Sequence, residues 1–129
     1  LIKSFDKIRN HFGVNRIAQV GALASLQDTA HLASIVEKVA AARERIATIA
    51  RANGLKPLPS AANFVAIDCC NDGAFARCVL SELIARDVFV RMPGVSPLDR
   101  CIRVSAGLPS DLDAFEEALP QALSAAAGR

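Results

Sequence analysis

The sequence predicts an α+β domain, a small domain of α/β type in which a three-stranded sheet at about 62–68, 87–92 and 101–106 packs with helices. Three observations carry this expectation. Apolar residues recur at helical spacing over 29–52, giving a long helix ahead of the sheet. Three short runs, "NFVAID", "VFVRM" and "CIRVSAG", alternate residues at the two-residue period of a strand. The last two runs are joined by "PGVSPLDR", too short for a crossover helix, so they should pair antiparallel.

Each element has its own local reason. Leu1, Phe5, Ile8 and Phe12 repeat at helical spacing, which gives a first helix over 1–10. The chain enters this pattern directly at Leu1 and reads as a piece of a longer chain. "FGVN" breaks it, and Asn15 is positioned to cap a second helix in "RIAQVGALASLQD". Asp28 or Thr29 caps the long helix, whose stripe of Leu32, Ile35, Val36, Val39, Ile46 and Ile49 is expected to be buried. Asn53-Gly54 closes it, and "LKPLPSAA" is a proline-punctuated turn. Asp72 in "NDG" precedes a helix in "AFARCVLSELIAR" that buries Phe75, Val79, Leu80, Leu83 and Ile84. The final helix should open at Ser110, which forms an S-x-x-[DE] capping pattern with Asp113. Pro120 should kink it, and "SAAAGR" should fray.

The length of 129 residues fits one domain, and a hydrophobic share of 52% suffices for a core. A net charge of +2, with no basic run, gives no reason to expect nucleic acid as a partner. No signal peptide and no apolar run of bilayer length stands in the sequence, so no membrane partner is expected. Cys69, Cys70, Cys78 and Cys101 lack metal or C-x-x-C spacing and read as reduced thiols of a cytoplasmic protein.

Few residues suggest chemistry. His11 and His31 have no partner at metal or triad spacing, so no metal site is expected. No nucleophile elbow, phosphate loop or dinucleotide fingerprint occurs. None of Lys3, Lys7, Lys38 and Lys56 sits where a Schiff base would form. Arg91 and Arg103 stand apart, because each interrupts an apolar strand and the two strands should be neighbours. Two guanidiniums side by side can hold a carboxylate or phosphate through their planar forks; two solvated arginines on an open sheet face are the plainer alternative. Asn63, at the start of the first strand, could add an amide or simply form a turn.

The order of motifs resembles the C-terminal part of a fold-type I, pyridoxal-phosphate-dependent aminotransferase, of the histidinol-phosphate aminotransferase branch. "FGVNRIAQVGALASLQD", "LPSAANFVAID", "VFVRMPG" and "CIRVSAG" resemble segments of that branch, in its order, across essentially the whole chain. The resemblance implies that residues 1–28 are helices packing on a missing large domain and that 29–129 form the small domain. It implies that Arg103 grips the substrate's acidic group, that Arg91 lines the same site, and that Asn63 lies near the substrate. Pyridoxal 5'-phosphate and its lysine would belong to the large domain, so no catalytic or cofactor-binding residue is expected in this chain. The implied partners are an amino acid or amino phosphate, a keto acid, the large domain and a second copy in a homodimer. Gly107-Leu108-Pro109 departs from the Gly-Thr usual in the branch, so the implied substrate is histidinol phosphate or a related amino acid. A stand-alone α+β module that binds an anion or mediates dimerisation is the alternative.

Overall fold

The computed structural model describes residues 2–5, 7 and 13–128. Its elements are α1 (Ile2–Phe5), α2 (Arg16–Gln27), α3 (Thr29–Ala52), β1 (Lys56–Pro57), β2 (Phe64–Asp68), α4 (Gly73–Ile84), a 3₁₀ turn at Leu98–Arg100, β3 (Cys101–Ser105) and α5 (Pro109–Ala127). The α+β class, the long helix over 29–52 and the three-stranded antiparallel sheet all match the expectation. Of the expected first helix, Ile2–Phe5 is helical; Leu1, Ile8, His11 and Phe12 lie outside the described residues. No helix among the described residues is long and apolar enough to cross a membrane.

The chain divides into two compact units, Leu1–Val36 and Glu37–Arg129, with the division inside α3. In the first unit, Asn15 caps α2 as expected, its Oδ1 accepting from the Ala18 N–H at 2.8 Å. The Asp28 carboxylate accepts from the His31 N–H at 3.0 Å and opens α3 in the same way. The apolar side chains of this unit are exposed: Ile17, Val20, Leu23 and Leu26 on α2, and Leu32 and Val36 on α3. The expected buried stripe of α3 therefore holds only at Ile46 and Ile49, joined by Ala47 and Ala50. Periodicity marks an apolar face without saying what covers it.

The second unit holds the core. The sheet order is β1-β2-β3, antiparallel throughout. Val65 faces Val104 and Ile67 faces Ile102 across β2 and β3, and all four are buried. Ala76, Val79 and Leu83 of α4 and Leu112, Phe115 and Leu119 of α5 belong to the same cluster. Asp72 caps α4 by accepting from the Phe75 N–H at 2.8 Å. Gly54, at φ +73°, ends α3, and the Leu55 N–H returns to the Ala50 carbonyl at 3.0 Å.

Three local expectations are corrected. The run at 87–92 does not form a regular strand: the Val88 N–H goes back to the Leu83 carbonyl at 3.0 Å, Pro93 has no donor, and only Arg91 bridges to β3. The third strand is instead Lys56–Pro57, inside the segment read as a turn. Pro57 is tolerated there because an edge strand does not need its missing N–H. Finally, α5 opens one residue before Ser110, with Leu108 at the cap position and Pro109 in the first turn, where a missing N–H is harmless. It runs through Pro120 and through the tail expected to fray, with Ala122 and Ala126 buried.

Candidate functional site

Strand pleat decides which side chains leave the core. Val65, Ile67, Ile102 and Val104 point inward, so Phe64, Ala66 and Asp68 of β2 and Arg103 and Ser105 of β3 point to the other face. Arg91 joins that face through its bridge. Its N–H donates to the Arg103 carbonyl at 3.1 Å, and the Arg103 N–H donates back at 2.6 Å. Residues that exchange both bonds lie directly opposite each other, with side chains on one side. The middle row of the outer face therefore reads Ala66, Arg103, Arg91.

Four of the described arginines are held by carboxylates. Arg45 pairs with Asp113 and Glu116 at 2.6 and 2.7 Å, Arg51 with Glu44, Arg86 with Glu82, and Arg100 with Asp68. Neither Arg91 nor Arg103 has an ion-pair partner among the described residues. Asp68 is the one acidic residue at an outward position of the sheet, and Arg100 holds it in a bidentate grip of 2.8 and 2.7 Å. That grip, aided by the Cys70 N–H at 2.8 Å, keeps the Asp68 carboxyl below the usual carboxylate range. A carboxylate committed in this way leaves the charge of the arginine row uncompensated.

Phe64 was absent from the residues singled out in the sequence. Its ring lies under Arg103, with the guanidinium carbon 4.9 Å from the ring centroid. The signal for it was the pleat: Phe64 and Arg103 occupy diagonal positions on one face once β2 and β3 are in register. Asn63 precedes β2 and is exposed; its carbonyl accepts from the Ala106 N–H at 2.8 Å, at the Ser105 end of the sheet. By strand parity it falls opposite the face that carries Arg103. The structure therefore brings Arg91 and Arg103 together and leaves Asn63 at the sheet's end.

The thiols offer no second site. Cys69 is buried in the core, and burial pushes its pKa up to about 11; burial also raises Cys101. Lys7, Lys38 and Lys56 are exposed on α1's flank, α3 and β1, so none offers the enclosed amine that a carbonyl cofactor needs. The described residues do not fit a pyridoxal phosphate site.

No family model matches the chain. Relatives do. The chain is 37% identical over 117 residues to histidinol-phosphate aminotransferase of Roseiflexus castenholzii, covering 89% of this chain and 32% of that protein. It is 37% identical over 119 residues to histidinol-phosphate aminotransferase 1 of Mesorhizobium japonicum, covering 92% and 31%. The crystal structure of the Sinorhizobium meliloti histidinol-phosphate aminotransferase, in complex with pyridoxal-5'-phosphate, superposes with a TM-score of 0.89 at 46% identity, covering 95% of this chain and 34% of that one. The chain is homologous to the C-terminal third of histidinol-phosphate aminotransferases. It thus corresponds to the small domain of this fold-type I group and spans about a third of the length of the curated relatives it matches. A putative aminotransferase from Burkholderia pseudomallei shares the fold at a TM-score of 0.80 and 26% identity. The histidinol-phosphate aminotransferase resemblance carried by the four motifs agrees with these comparisons.

Proposed function

We propose that this chain is the substrate-gripping small domain of a pyridoxal-phosphate-dependent aminotransferase that moves an amino group between histidinol phosphate, or a related amino acid, and a keto acid. The observation that carries this reading is the adjacent pair Arg103 and Arg91, unpaired on an open sheet face, in a chain homologous to that family. Arg103 is the principal clamp on the substrate's acidic group. Its planar fork offers two parallel N–H donors to two oxygens, which fixes the orientation of the substrate as well as its position. Arg91, in the neighbouring position, adds a second charge, which suits a phosphate. Asn63, at the sheet's end and opposite the face that carries Arg103, stays outside this clamp.

The amino-transfer chemistry belongs, in this reading, to pyridoxal 5'-phosphate and a lysine of a large domain outside these 129 residues. The exposed apolar side chains Ile17, Val20, Leu23 and Leu26 support a role for residues 1–28 in packing on that domain. The working enzyme would be a cytoplasmic homodimer.

The test is Arg103→Gln in the enzyme expressed with its large domain. Losing a charge-assisted bidentate contact should lower kcat/KM for histidinol phosphate by about 10- to 100-fold, chiefly through KM, with Arg103→Lys intermediate. An unchanged kcat/KM in Arg103→Gln would reject the clamp.

A further inference from the structure

We infer that Phe64 is a positioning residue, the platform that holds the Arg103 guanidinium in place on the open face; this rests on the reading of Arg103 as an acid clamp. Three observations lead there. First, Arg103 has no carboxylate to hold it among the described residues, whereas four other arginines do. An unanchored arginine would spread over many rotamers, and binding an anion would then cost the entropy of ordering it. Second, the guanidinium carbon stands 4.9 Å from the centroid of the Phe64 ring, within the range of a cation–π contact. Third, Ala66, directly opposite Arg103, offers only a methyl group, so nothing in that position competes for the arginine stem.

The geometry of the stack suits a clamp. A guanidinium donates its N–H bonds in its own plane, while an aromatic ring attracts it through its face. A contact through the face of the Phe64 ring can therefore order Arg103 and leave its in-plane donors for an anion. A carboxylate platform would do the opposite: it would order the arginine by occupying the fork that the substrate needs, as Asp68 does to Arg100. Phe64 is itself fixed by the register of β2 against β3, where it faces Ser105. The identity of residue 64 would thus set how ready the site is before any ligand arrives.

The test uses the enzyme expressed with its large domain and labelled with nitrogen-15. The Arg103 Nε–Hε resonance, assigned by its loss in Arg103→Lys, should be shifted upfield by the Phe64 ring. Phe64→Leu should remove that shift and increase the mobility of the group, and Phe64→Tyr should restore both; amide spectra confirm that each variant is folded. Titration with inorganic phosphate then reads the function. The Arg103 resonance should respond in the wild type and in Phe64→Tyr, with apparent affinity about three- to tenfold weaker in Phe64→Leu. An Arg103 resonance insensitive to Phe64→Leu overturns the platform. Equal phosphate affinity in wild type and Phe64→Leu overturns the positioning role while sparing the anion site. No phosphate response in the wild type overturns the anion site itself, and the positioning role with it.

Discussion

Ile102 gives the sharpest test of how the sheet presents its arginines. It is fully buried, faces the equally buried Ile67 across β2 and sits immediately before Arg103, so the packing of its side chain is what turns Arg103 outward. Ile102→Val deletes one methyl group and should cost about 1 kcal/mol. Ile102→Ala removes three carbons, about 2.4 kcal/mol at about 0.8 kcal/mol each, and the partly collapsed cavity raises this to about 3–4 kcal/mol. Ser105→Ala lies on the same strand with opposite facing and should stay within about 0.5 kcal/mol. Urea unfolding followed by far-ultraviolet circular dichroism reads the difference. With an m-value of about 1.3 kcal/mol/M, the midpoint should fall by about 0.8 M in Ile102→Val and by about 2–3 M in Ile102→Ala. If Ile102→Ala does not fold, Ile102→Val against Ser105→Ala still decides the matter. Midpoints within about 0.3 M of wild type for both isoleucine variants would refute the packing, and with it the assignment of faces.

Three further outcomes are expected. Because the folded Asp68 carboxyl sits below its unfolded value near about 4, its contribution is present above that pH and lost as pH falls through the folded value; urea midpoints between about pH 5 and pH 2 should decline, and Asp68→Asn should start lower and decline less. Alkylation of the native chain at about pH 8, read by peptide mass mapping, should label exposed Cys70 and spare Cys69, whose thiol is buried and raised to about 11; Cys69 should react only after unfolding. A Cβ at Gly107 would stand 2.8 Å from Asp111 Oδ2, which accepts from the Leu108 N–H at 2.8 Å. Gly107→Ala should therefore cost about 1 kcal/mol by displacing that cap, and the double change with Asp111→Ala should cost little more than either alone, as a double-mutant cycle in thermal melts would show.

What could be read from the sequence depended on whether the deciding signal was local. The bounds of α3, the capping by Asn15 and Asp72, and the inward set of β2 and β3 all follow from residues within one or two turns of the feature. The pairing of Arg91 with Arg103 followed from alternation, even though the surrounding run failed as a strand. That failure turned on the Val88 N–H, which is spent closing α4, a competition no alternation pattern reports. Two residues of β1 are too few to carry a period, so Lys56–Pro57 was invisible. The exposure of Leu32 and Val36 could not be read either, because an apolar stripe looks the same whatever lies against it. In the candidate site, the charged members announced themselves as interruptions in apolar runs. Phe64 did not, since an aromatic residue is an ordinary choice in a strand, and its partner is distant in sequence.

The bridge between Arg91 and Arg103 has one more consequence. Their Cα spacing is set by two main-chain hydrogen bonds and so does not depend on which side chains stand there. The two positions behave as a socket of fixed pitch into which different prongs can be fitted. Exchanging one arginine for a neutral residue would change the charge carried by the pair by one unit, and would leave the backbone spacing of the two positions as it was. Under the proposed clamp, taste for a singly or a doubly charged group would drift in a lineage by one codon at a time, on a scaffold that does not have to be rebuilt at each step.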